Sequence, residues 1–148
     1  METFLLNLIL INPPGPFELI LLGFILSVFF GILPLIFYLI TLQNTLIKIS
    51  PENRRMPPTN VWLSFIPLFG LAWQFVIVDR MADSLKAEFD TKGINVGSNK
   101  PGFGIGISYS ILFCLSIFPF VGFLTSIAGL ICWIIYWVQI SNYKLQLG

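Results

Sequence analysis

From Phe103 to Ile140 the chain carries 38 residues in a row without a charged side chain. As one helix this run would measure about 57 Å, far beyond a hydrocarbon core of about 30 Å, so it has room for two crossings. Pro119 to Gly122 stands near its middle and predicts the turn between them. A second run, Leu19 to Leu42, has 24 residues without charge, enough for one crossing, and Pro34 inside it predicts a kink of the kind membrane helices tolerate. Of the 148 residues 56% are hydrophobic and 10% charged, whereas soluble domains carry about 25% charge. A globule this small leaves much of its surface uncovered, so the excess must face something other than water, and lipid is the simplest candidate.

Between these runs, Val61 to Val78 has 18 residues without charge, about 27 Å as a helix, and continues without a breaker into DRMADSLKAEFDTKG. There Val78, Met81, Leu85 and Phe89 recur at helical spacing, and Asp83/Lys86, Lys86/Asp90 and Glu88/Lys92 are placed for pairing one turn apart. Gly93 marks the stop. The expected fold is all-α: an integral membrane bundle of four transmembrane helices in one domain over 1–148. The helices are expected at about 19–42, 61–91 (membrane part 61–78), 103–118 and 123–140. Trp133, Tyr136, Trp137 and Tyr143 would form an interfacial aromatic belt. At the N-terminus, Glu2 stands where a signal peptide carries positive charge and no small-residue cleavage site precedes the prolines, so the segment is expected to be retained. Phe4 to Ile11 is too short to span and is expected at the interface or against the bundle.

Two octapeptides, LSFIPLFG at 63–70 and LSIFPFVG at 115–122, share Leu, Ser, Pro and Gly. In a four-span reading the first is a bend within a crossing helix and the second a turn between helices. Four spans leave Lys48, Arg54 and Arg55 on one side and Arg80, Lys86, Lys92, Lys100 and Lys144 on the other, with both termini in the cytoplasm. If 61–78 is instead a re-entrant hairpin kinked at Pro67 and Gly70, all eight basic residues share one side. That alternative, three spans plus one re-entrant segment, then makes both octapeptides turns.

Small residues recur at one-turn spacing as Gly23, Ser27 and Gly31, as Gly102, Gly106, Ser110 and Cys114, and as Gly122, Ser126 and Gly129. They predict close helix packing in lipid. Gly102 to Gly106 alternates glycine without a preceding strand or a following Lys-Ser/Thr, so no phosphate loop is expected. Cys114 and Cys132 differ in depth by roughly 9 Å on helices meeting near Phe120, too far for a disulfide. The chain has no His, the commonest metal ligand and general base, so neither metal, cofactor nor enzymatic activity is expected. A net charge of +1 without a basic stripe argues against a nucleic-acid partner.

The candidate polar positions are few. Gln74 lies within the second segment and Gln139 near the end of the last, where a buried amide needs a partner. Asp79, Arg80 and Asp83 stand where the second segment leaves the membrane. The run PENRRMPPTNVWLSFIPLFGLAWQFVIVDRMADSLKAEF, with GLICWIIYWVQISNYKLQL at the end, resembles a group of small multi-spanning bacterial inner-membrane proteins without an assigned activity. The resemblance covers roughly 42–148, and it implies a helical bundle in a bacterial inner membrane. The first functional expectation is a non-enzymatic accessory or structural subunit contacting lipid and other membrane proteins or itself. The alternative is a small homo-oligomeric channel or carrier for a neutral solute or lipid, with Gln74 and Ser108 or Ser110 along the path. A lipid-acting enzyme would have to use Asp79, Arg80 and Asp83.

Overall fold

A computed structural model of the chain describes residues 1–3 and 13–148; the expectation for Phe4 to Ile11 lies outside them. The described residues are all-helical. α1 is Pro16–Ser27, followed by a π-turn, Val28–Ile32, and by α2, Leu33–Lys48. A 3₁₀-helix, Pro58–Phe65, precedes α3, Phe69–Thr91. α4 is Phe103–Leu115 and α5 is Gly122–Gln146. Two helical runs, Pro16–Lys48 and Gly122–Gln146, are long and apolar enough to cross a membrane, with mean hydropathy 2.8 and 1.8.

By packing, the chain groups into two compact units, Met1–Phe37 and Tyr38–Gly148. In the first, Pro16 opens α1, and the N–H of Gly15 donates to Glu18 Oε2 at 2.9 Å, a closed cap that fixes the helix start. The kink expected at Pro34 takes the form of the π-turn just before it: the wider turn relieves the clash of the proline ring with the preceding carbonyls. No residue of α1 is buried. The stripe Gly23, Ser27 and Gly31, expected as a packing seam, is uncovered, and an added Cβ at Gly23 or Gly31 would meet nothing within 4 Å.

The second unit is where the chain packs. Its core is formed by Tyr38, Leu39, Leu42 and Leu46 of α2, Ile77, Val78, Met81, Leu85 and Phe89 of α3, Tyr109 of α4, and Tyr136 and Ile140 of α5. α3 and α4 run antiparallel, since Val78 lies at Gly106 and Gln74 at Tyr109. α4 and α5 do likewise, with Phe113 at Gly129 and Gly102 at Tyr136. Gly106 is glycine for want of space: a Cβ there would stand 2.5 Å from Val78 Cγ1 and 2.9 Å from the Tyr136 ring. The Gly102, Gly106 and Ser110 face is thus the close seam among α3, α4 and α5. Gly129 is buried against Phe113, whereas Ser126 is half-buried. Of the four residues expected as an aromatic belt, Tyr136 is buried and Trp133, Trp137 and Tyr143 are half-buried. Trp133 and Trp137 pack edge-on to Tyr38, and Tyr143 packs on Phe89.

The helix expected over 61–91 does not form as one element. The 3₁₀-helix ends at Phe65, Pro67 offers no N–H, and Leu68 sits at φ 62°, ψ −50°, with the N–H of Phe69 donating to Pro67 O at 2.7 Å in a γ-turn. The chain doubles back, so that Trp73 Nε1 donates to Asn60 O at 2.8 Å. The second octapeptide repeats the hydrogen bonds that flank this turn, without a positive-φ residue at its Phe120. The N–H of Gly70 donates to Ile66 O and that of Gly122 to Phe118 O, both at 2.7 Å, while Ile66 reaches Leu63 O and Phe118 reaches Leu115 O, both at 3.1 Å. In each copy the glycine lies on the serine carbonyl: a Cβ on Gly70 would collide with Ser64 O, and one on Gly122 would stand 2.5 Å from Ser116 O. The expected bend at Pro67 is therefore corrected to a turn, the same device as at Pro119. This turn begins after Leu115, which ends α4 short of the expected Phe118.

Candidate functional site

Two polar regions stand out in the second unit, one between the helices and one at their charged end. Between the helices, Tyr109 Oη donates to Gln74 Oε1 at 2.7 Å. Its single proton is thereby used, so at 2.9 Å Tyr38 Oη is the donor and Tyr109 Oη the acceptor. The chain Tyr38, Tyr109, Gln74 joins α2, α4 and α3 across a space where each unmet hydroxyl would cost about 1–3 kcal/mol. Tyr136, in ring contact with Tyr109 at 5.4 Å, keeps a buried hydroxyl without a partner among the described residues, and Gln139 has a buried Oε1 in the same condition while its Nε2 donates to Tyr143 Oη at 3.1 Å. Gln74 is thus bound into a helix-joining bond. Ser110 is buried and donates to Gly106 O, whereas Ser108 is exposed and donates to Gly104 O. Ser108 and Gln74 are not brought to one path. Cys114 and Cys132 are free thiols.

At the charged end, α3 carries its ionic residues beyond Asp79 while three other pieces of chain fold against it. The connection 49–58 is held by a carboxylate: Glu88, 1% exposed, accepts from the Ser50 N–H at 3.0 Å, Ser50 Oγ at 3.1 Å and Asn53 Nδ2 at 2.8 Å. Lys92 Nζ stands 3.6 Å away. Burial pushes this carboxyl up, but the hydrogen bonds from Asn53 and Ser50 and the Lys92 charge together outweigh it and leave it below its ordinary 4.5. Ser84 makes a second tie, accepting from the Arg55 N–H at 2.8 Å and donating to Arg80 O at 2.6 Å. The guanidinium of Arg54 caps the end of α2 through the carbonyls of Ile47 and Ile49. The C-terminal turn joins through Lys92 Nζ to Leu147 O at 2.7 Å and Lys48 Nζ to Lys144 O at 3.3 Å.

Asp79 and Asp83 share one ammonium, Lys100 Nζ, at 2.7 and 3.4 Å. The bond to Asp79 holds Lys100 above its ordinary value, and its charge also lies 4.8 Å from the Phe103 ring. Arg80 points elsewhere. It borders a shallow hollow of about 510 Å³ with Arg55, Asp83, Lys86, Ala87 and Asp90. The structure therefore divides the predicted trio: Asp79 and Asp83 are engaged by Lys100, and Arg80 borders a hollow that Arg55, 25 positions earlier, also lines. All eight basic residues lie at this end, and the two Pro-Gly turns lie at the other.

Sequence reasoning paired Glu88 with Lys92, as found at 3.6 Å, but missed the hold of Glu88 on Ser50 and Asn53, Arg55 and Lys100 as partners, and the three tyrosines of the seam. For Glu88 a signal existed: it shares the helical face of Met81, Leu85 and Phe89, where a lone carboxylate among apolar residues needs donors. No protein family, curated protein or solved structure matches the chain.

Proposed function

We propose that this chain is a multi-pass protein of a bacterial inner membrane that serves as a non-enzymatic accessory subunit, holding other membrane proteins through its bare N-terminal helix. The carrying observation is that none of the apolar window of Pro16–Lys48 is buried among the described residues. Lipid can cover such a surface, but the stripe Gly23, Ser27, Gly31 is shaped for another helix backbone. Replacing Gly23 and Gly31 by leucine is expected to remove co-purifying membrane proteins in mild detergent without altering the near-ultraviolet circular dichroism of the aromatic core. Recovery of the wild type alone as a defined homo-oligomer would count against the subunit and for a channel or carrier.

In this reading Pro16–Lys48 crosses, α4 and α5 form a membrane hairpin, and the 3₁₀-helix with the start of α3 re-enters from the charged side. From Phe69 to Asp79 α3 rises only about 15 Å, half of a 30 Å hydrocarbon core. The turn at its foot bears Leu68, 82% exposed, and no charge. In a background lacking native cysteines, Glu52→Cys and Asn95→Cys should both label from one side of the membrane. Labelling from opposite sides would restore the four-span topology.

A further inference from the structure

We propose that the hollow between Arg55 and Arg80 binds the phosphate group of an anionic phospholipid headgroup. The inference rests on the membrane reading above and adds a ligand to it. Its first support is charge. Neither guanidinium has a hydrogen-bond or ion-pair partner among the described residues, whereas the other ionic groups around the hollow are already engaged: Lys86 with Asp90 at 2.6 Å and Asp83 with Lys100 at 3.4 Å. Two forked donor groups with uncompensated charge therefore face a space of about 510 Å³. A guanidinium pairs with phosphate oxygens through parallel N–H bonds, so the two arginines together suit a phosphodiester.

The second support is placement. Arg55 is held beside α3 by the Arg55 N–H to Ser84 Oγ bond, and Ser84 is fixed in turn on Arg80 O. The site thus exists before any ligand arrives. The third is depth. Leu68 marks the apolar foot of α3, and Arg80 stands about 18 Å above it along the helix, with Lys86 about 9 Å higher. With the foot near the midplane, the hydrocarbon ends after about 15 Å and the headgroup layer fills roughly the next 5 to 8 Å. Arg80 then lies at the phosphates of one leaflet, with Arg55, tied through its N–H to Ser84, about one turn above it at the outer edge of that layer. Free phosphate shares the chemistry but would need no such depth.

The experiment uses the full-length protein. Flotation with phosphatidylcholine vesicles, with and without phosphatidylglycerol, tests membrane association, and native mass spectrometry of the detergent-solubilised protein counts retained phosphatidylglycerol. Retention is expected to fall roughly fivefold for each of Arg55→Gln and Arg80→Gln, the worth of one basic residue at an anionic surface. Lys144→Gln, which removes a charge at the same end away from the hollow, should leave it within about twofold. Equal losses in all three variants would reduce the effect to diffuse charge and overturn the site. Inorganic phosphate that binds the wild type and is lost in Arg80→Gln, with no lipid retained, would overturn the lipid source. Protein that floats but shows no arginine-dependent retention refutes this inference alone, while protein that floats with neither vesicle refutes the membrane reading as well.

Discussion

Gly70→Ala is expected to destabilise the Tyr38–Gly148 unit by about 3 kcal/mol, the upper range for forcing a methyl into filled space. The obstacle is the backbone carbonyl of Ser64, which cannot swing aside without opening the turn that returns the chain from the 3₁₀-helix to α3. On propensity alone the exchange would help, because alanine is favoured over glycine in a helix by about 1 kcal/mol. The sign therefore tests the hairpin directly. Gly122→Ala should act in the same direction, against Ser116 O, and Gly23→Ala, with open space around it, is the control. Thermal unfolding in detergent, followed by the fluorescence of Trp62 and Trp73, reads all three. A Gly70→Ala protein as stable as Gly23→Ala would mean that the two octapeptides do not close in the same way.

The second large effect is expected at Glu88. Glu88→Gln places an amide donor where Ser50 and Asn53 already present donors, and loosening of the 49–58 connection should cost about 2 kcal/mol, the range for hydrogen bonds to a charged group. The pH dependence has a definite sign. A carboxyl held below 4.5 in the folded chain stabilises the fold fully above that value, and the contribution is lost as pH falls through the lower folded value. The protection factors of the Arg55 and Asn53 amides, taken against the intrinsic exchange rate at each pH, should fall in the wild type on acidification from pH 6 to pH 3. In Glu88→Gln they should be low already at pH 6 and change little on acidification. Equal protection of the two proteins at pH 6 would show that Glu88 does not hold the connection.

Much of this architecture was legible from the chain. Hydropathy marked the apolar helices, and Pro57-Pro58, Gly93 and Pro119 marked breaks, because chain breaking and lipid solubility are properties of short segments. The first octapeptide was legible only in part. Pro67 signalled a disturbance, but whether a proline bends a helix or ends it depends on whether the residues on either side find a surface to pack on. Here Trp73 reaches Asn60 O, and Gly70 lets two backbones touch.

The polar regions were less legible. Asp79, Arg80 and Asp83 were visible as a charged step at the end of an apolar run, yet nothing in that spacing tells that Lys100 would take both carboxylates and leave Arg80 on the hollow that Arg55 also lines. Gln74 was recognised as an amide in need of a partner, and Tyr109 became that partner only through antiparallel packing of α3 on α4.

By itself, then, the sequence determined an all-helical chain rich in lipid-compatible surface, with breakers at fixed places, since these follow from the side chains of neighbouring residues. The tertiary structure alone decided that both Pro-Gly octapeptides are turns and that eight basic residues gather at one end. Antiparallel packing and the Glu88 and Ser84 ties bring together residues some 25 to 40 positions apart, and no local pattern encodes such distances.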